Sequence, residues 1–94
     1  MNRLVLSASL SERGAVRYTP AGLPALDLVL KHASEVSEDG HPRKVTVDVK
    51  AVAVGDRITR QVGALGLGGD GTFAGFLASG RNGRGLVFHV TSVD

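Results

Sequence analysis

Arg17-Tyr18-Thr19-Pro20-Ala21-Gly22-Leu23-Pro24-Ala25-Leu26-Asp27-Leu28-Val29-Leu30-Lys31-His32 joins a cation and an aromatic to a tight turn, and the turn to an alternating strand. Proline sets φ near −65° and glycine takes positive φ without steric cost, so Thr-Pro-Ala-Gly-Leu-Pro reads as a turn. Beyond it, Leu26, Leu28 and Leu30 fall on one face of a period-two strand, with Asp27, Val29 and Lys31 on the other. The segment is expected to gather Arg17, Tyr18 and Lys31 around the mouth of one hairpin, an arrangement suited to a polyanion carrying flat bases.

Working outward, the same alternation recurs. Between residues 3 and 10, Leu4, Leu6, Ala8 and Leu10 alternate with Arg3, Val5, Ser7 and Ser9, and Ser11-Glu12-Arg13-Gly14 turns the chain. The second strand runs over 23–32. The polar stretch 33–43, rich in Ser, Glu and Asp, reads as a long exposed loop. A third strand over 44–54 puts Val45, Val47, Val49, Ala51 and Ala53 on one face and Lys44, Thr46, Asp48 and Lys50 on the other. Asp56 is placed to cap a short helical turn in which Ile58, Val62 and Leu65 recur at helical spacing. Glycines at 63, 66, 68, 69 and 71 stop it soon after. Strands four (72–79) and five (86–93) flank Gly80-Arg81-Asn82-Gly83-Arg84-Gly85, where Asn-Gly signals a hairpin. This order, with a short helix between strands three and four, is that of an all-β, five-stranded Greek-key barrel, the OB-fold, as one domain over 1–94.

Composition narrows the function. Ninety-four residues suit one domain with limited core, for which oligomerisation is a natural supplement. Eleven Lys/Arg against nine Asp/Glu leave a formal charge of only +2, so distribution matters more than sum. The acids Glu35, Glu38 and Asp39 crowd one segment and leave other surfaces more positive. With no cysteine there is no disulfide, thiolate metal site or cysteine nucleophile. No run approaches the ~18 apolar residues of a membrane span, and the first ten residues lack the apolar core of a secretory signal. A cytoplasmic protein without cofactor is expected.

The segment from Arg17 to His32, with Asn2-Arg3-Leu4-Val5-Leu6-Ser7 before it, resembles the PriB family, bacterial primosomal replication protein N, and more distantly the single-stranded-DNA-binding proteins. The likeness spans the chain in order and length, and is closer through His32 than after Gly40. It implies an accessory of the replication-restart primosome that binds single-stranded DNA with little sequence preference. It further implies a homodimer, with contacts to the primosomal helicase and helicase-loading proteins. In that family strand one pairs with its copy, which here would put Leu4, Leu6 and Ala8 at the interface.

Within such a barrel the loops joining strands one to two and four to five act as jaws beside the outer sheet face. Arg81 and Arg84 stand in one jaw, and arginine grips phosphate bidentately and stacks on bases. Arg17 and Tyr18 stand in the other, Tyr18 being the only tyrosine. Lys31, Lys44 and Lys50 would track a backbone across the sheet. Relatives often carry aromatics in the long loop and at the start of strand three; here those places offer His41, Arg43 and Thr46. Base–aromatic stacking is worth about 1–3 kcal/mol per base, so electrostatics is expected to carry more of the affinity.

Other motifs count for less. Gly66-Leu67-Gly68-Gly69-Asp70-Gly71 spells G-x-G-x-x-G, but a strand rather than a helix follows it, which defeats a dinucleotide fingerprint. His32, His41 and His89 lack metal-ligand spacing, and nothing presents a nucleophile on a strained elbow, so no metal site or catalysis is expected. The competing class is a protein-interaction module of a replication assembly, in which DNA contact is weak or incidental; the low net charge and few aromatics favour it.

Overall fold

Leu26, Leu28 and Leu30 turn inward and are almost fully buried, while Asp27 and Lys31, on the other face of the strand, are exposed. In this computed structural model residues 1–94 are described, apart from the side chain at position 81. The elements are β1 (Leu4–Arg13), β2 (Arg17–Tyr18), β3 (Pro24–Glu38), β4 (His41–Val54), α1 (Asp56–Ala64), β5 (Asp70–Ser79), a 3-10 turn (Arg81–Gly83) and β6 (Leu86–Val93).

The strands lie in the order β1-β5-β6-β4-β3-β2, and β1 also pairs with β3, which closes a five-strand barrel. Neighbours are antiparallel except β4 and β6, which run parallel over Ala51–Ala53 against Phe88–Val90. This is the expected OB-fold barrel. Its core is Leu10, the three β3 leucines, Ala51, Ala53, Phe73, Phe88 and Val90, plugged at one end by Ile58 and Val62 of α1. Phe73 and Phe88 have no exposed surface. A barrel this small has room for few large rings, so the alanines of β4 stand where the phenylalanines need space.

The stretch 33–43, expected as a loop, is instead an extension of two strands. β3 and β4 pair without interruption from Ala25↔Val54 to Glu38↔His41. Asp39 and Gly40 form the turn between them with φ of 50° and 76°, the left-handed pair that Asp-Gly supplies in a two-residue hairpin. Polar composition disguised the strands because this ribbon outruns the barrel and has no buried face. Val36 and Val47 are 45% and 42% exposed. The ribbon draws instead on its continuous backbone ladder and cross-strand charge pairs. Lys31 faces Asp48, Lys44 faces Glu35, and Arg43 Nη1 donates to Glu38 at 2.9 and 3.2 Å.

One further correction concerns the cap of α1. Asp56 is the first helical residue and not the cap; Gly55 takes that position at φ 111°, with no side-chain cap bond. Asp56 still suits the positive helix end. Thr59 steadies the first turn, its hydroxyl donating to Gly55 O at 2.7 Å and Asp56 O at 3.1 Å. At the other end, Arg13 Nη1 donates to the carbonyls of Val62 and Leu65. The glycine segment then returns the chain to the sheet: Gly68 N donates to Leu10 O at 2.7 Å, and Leu10 N to Gly69 O at 2.9 Å. It leads into β5 and opens no helix.

Candidate nucleic-acid interface

Outward-facing residues of β3 and β6 follow from the same alternation that buries their neighbours, while on β4 Val52 lines the groove although it is buried like Ala51 and Ala53 on either side. Asp27 on β3 lies opposite Val52 on β4, Val52 beside His89 on β6, and His89 opposite Phe76 on β5. This row crosses the barrel between the β1–β3 connection and the β5–β6 turn. Along it runs a groove in two parts. One, of about 420 Å³, is lined by Glu12, Arg13, Asp27, Val29, Lys50 and Val87, among others. The other, of about 280 Å³, shares Asp27 and Val87 with it and adds Arg17, Thr19, Val52, Val54, Ser79 and His89.

The expected site residues divide between this groove and the ribbon. Lys50 lines the groove and faces Val29 rather than an acid. Arg17 reaches it from β2, with Nε on Asp27 Oδ2 at 2.9 Å and Nη2 on Oδ1 at 3.0 Å. That hydrogen bonding raises the guanidinium pKa above its ordinary value; slight desolvation opposes it and Coulombic attraction adds to it. Arg17 therefore enters the groove as half of an ion pair, its charge largely matched by Asp27. Tyr18 pairs through its backbone with Pro24 and leaves its ring 71% exposed. Arg84 is exposed on the β5–β6 turn, where Asn82 and Gly83 take φ of 63° and 68°. The Arg81 side chain lies outside the described residues.

Lys31, His41, Arg43 and Lys44 lie elsewhere. Lys31 pairs with Ser9 and Asp48. It stands six residues along β3 from Ala25, the partner of Arg17, or about 20 Å at 3.3 Å per residue. It does not share a hairpin mouth with Arg17 and Tyr18. His41, Arg43 and Lys44 belong to the ribbon tip, and Arg43 is ion-paired to Glu38 at 2.9 Å.

Leu4, Leu6 and Ala8 turn inward against the core. What β1 leaves open between Leu4 and Ala8 is a backbone edge: it pairs with β5 there, and with β3 only from Ser9 onward. His32 Nδ1 contacts the Ser7 carbonyl on that side.

A feature absent from the expected site is the aromatic pair Phe76–His89. Its ring centroids are 4.8 Å apart and its planes within 10°. Phe76 is 40% exposed, and His89 lines the smaller part of the groove. Alternation in β6 marks His89 as outward, opposite buried Phe88 and Val90, but only the cross-strand register brings Phe76 beside it. Among the described residues no cluster of three or more metal-ligating side chains is found, and no helix is long and apolar enough to cross a membrane.

The sequence matches the model of a single-strand binding protein family over residues 2–92. The replication restart protein PriB of Bordetella pertussis is 52% identical over 81 residues, covering 86% of this chain and 75% of that protein. That of Nitrosomonas europaea is 30% identical over 90 residues, covering 95% and 82%. Among solved structures, PriB from Ralstonia solanacearum superimposes with a TM-score of 0.89 at 33% identity, covering 100% of this chain and 96% of the other. The wild-type single-stranded DNA binding protein from Thermus aquaticus gives 0.76 at 25% identity, over 100% of this chain and 49% of that one.

Proposed function

The chain belongs to the PriB family of replication restart proteins, within a wider family of single-strand binding proteins, and from that membership we propose how it works. It is a non-catalytic, cytoplasmic accessory of replication restart that binds single-stranded DNA in the groove across β3, β4 and β6, with little sequence preference.

One observation carries the assignment of place. The groove lies between the two connecting loops of the barrel, with Lys50 in its lining, His89 in its wall stacked on Phe76, and the turn that carries Arg84 beginning at its edge with Ser79 and Gly80. Cations neutralise the backbone while rings and valines receive bases, and neither contact reads sequence. Lys50 and Arg84 are the primary phosphate contacts, joined in this reading by Arg81, whose side chain lies outside the described residues, and by Tyr18 as an exposed stacking surface next in sequence to the groove residues Arg17 and Thr19. Arg17 contributes less than its charge suggests, because Asp27 already holds two of its donors. Lys31, His41, Arg43 and Lys44 form a secondary track on the ribbon, muted by Asp48, Glu35 and Glu38 opposite them.

That pairing also supports a role for the ribbon as a protein-facing surface, for the primosomal helicase or helicase-loading proteins, since surfaces of mixed charge discriminate among partners. The β1 edge away from β5, unpaired by any strand from Leu4 to Ala8 and met among the described residues only by His32 at the Ser7 carbonyl, supports a homodimer built by backbone pairing, with Leu4, Leu6 and Ala8 beneath the seam rather than across it.

Titration of fluorescent oligo-dT at several salt concentrations tests the reading. With three or four phosphates neutralised, log K falls against log salt with a slope of about −2 to −3. A slope near zero rejects electrostatic binding in the groove.

A further inference from the structure

We propose that the smaller part of the groove, about 280 Å³, is a nucleobase subsite, in which one base of a bound strand stacks on the His89 imidazole with Phe76 behind it. The inference rests on the single-strand-binding function above, and assigns the base contact to residues of β5 and β6.

The chemistry of the cavity selects a base over the other parts of a nucleotide. Phe76 covers one face of His89 in near-parallel stacking, and the imidazole also lines the cavity, so a flat surface two rings deep is presented to an entering group. Val52, Val54 and Val87 supply apolar walls. Asp27 stands at the rim and repels a phosphate, which leaves the backbone outside, toward Lys50 and Arg84. Arg17 commits its Nε and one Nη2 donor to Asp27. A guanidinium carries five N–H donors, so others remain for the carbonyl of a base. Stacking with an edge contact of this kind holds any base and reads none strictly.

The platform is also built into the fold. Gly75, next to Phe76, has its α-carbon against the backbone of His89 and Val90, where a Cβ would collide with the His89 carbonyl oxygen. The bulge between Ala74 and Gly75 thereby draws β5 and β6 together at the row that carries the rings.

The test compares oligo-dT with an abasic oligonucleotide of the same length, which keeps every phosphate and removes every base. His89→Leu keeps apolar bulk and loses the plane. It is expected to weaken dT binding about 5- to 150-fold while changing abasic binding by less than about twofold, because no phosphate contact is lost. Phe76→Leu moves dT binding in the same direction. A His89→Leu protein that binds dT like wild type, or loses both oligonucleotides equally, overturns the subsite. Should that variant fail to fold, the wild-type protein decides by NMR: the His89 ring protons move upfield with dT and stay in place with the abasic strand. Salt-dependent dT binding without that shift overturns the inference and leaves the function standing. Wild type that binds neither oligonucleotide removes both.

Discussion

Replacing Asp27 by asparagine is predicted to tighten DNA binding, although it breaks the ion pair of Asp27 with Arg17 in the groove. Arg17 is held by two nearly ideal bonds, at 2.9 and 3.0 Å, to a carboxylate that contributes a negative charge where a polyanion must lie. The side chains are 38% and 60% exposed, so solvent screens the pair and its loss costs less than about 1 kcal/mol of stability. For a domain of this size that lowers Tm by no more than about 8 °C. Asp27→Asn keeps the shape, removes the charge and frees Arg17 to contact a phosphate. One added contact steepens the salt slope by about 0.7. Between 50 and 200 mM salt, a fourfold change, the affinity advantage of the variant shrinks by fourfold raised to that power, or about 2.6-fold. Fluorescence anisotropy with oligo-dT at four salt concentrations measures both quantities. The double variant Asp27→Asn with Arg17→Met should return the slope to its wild-type value. Weaker binding by the single variant at low salt, or an unchanged slope, refutes the view that Asp27 withholds Arg17 from the phosphate backbone.

Further outcomes follow from the same geometry. Alanine at both Arg81 and Arg84 should weaken all single strands alike and flatten the salt slope by up to about 1.4, read in the same titration. Tyr18→Ala should cost about 1–3 kcal/mol of binding with little change of slope, and Tyr18→Phe almost nothing; a normal Tyr18→Ala titration would remove the ring from the interface. Arg13→Met strips the charged donor from the carbonyls ending α1 and should lower stability by about 1.5–3 kcal/mol in urea unfolding. Sedimentation equilibrium at micromolar protein should give about twice the chain mass of 9.7 kDa; a monomer mass would contradict pairing through the β1 edge.

Alternation alone makes most of the barrel legible in the sequence. Leu26, Leu28 and Leu30 separate from Asp27 and Lys31 because one face of β3 meets a core and the other meets water. The same signal vanishes where the strands leave the barrel. Neither face of 33–43 is buried, so its residues follow charge complementarity across the ribbon instead of hydrophobic period, and composition alone suggests a loop. Asp39-Gly40 is the local clue to the hairpin. The site is obscured by a different gap. That Asp27 and His89 face outward is local information, but that Asp27 meets Arg17, and His89 meets Phe76, depends on register between strands brought together by closure. Cations are therefore easy to name and hard to weigh: Arg17 and Arg43 are matched by acids ten and five residues away, while Lys50 faces a valine.

The central claim is that single-stranded DNA occupies the groove across β3, β4 and β6. Backbone amide shifts in two-dimensional NMR, followed while oligo-dT is added to the intact protein, test it most directly. Occupancy of the groove predicts the largest shifts at Val29, Lys50, Val52, Val87 and His89 and through the turn at Arg84, with α1 unmoved. Shifts concentrated on the ribbon tip around Asp39 and Arg43, or on α1 with the groove silent, would contradict it.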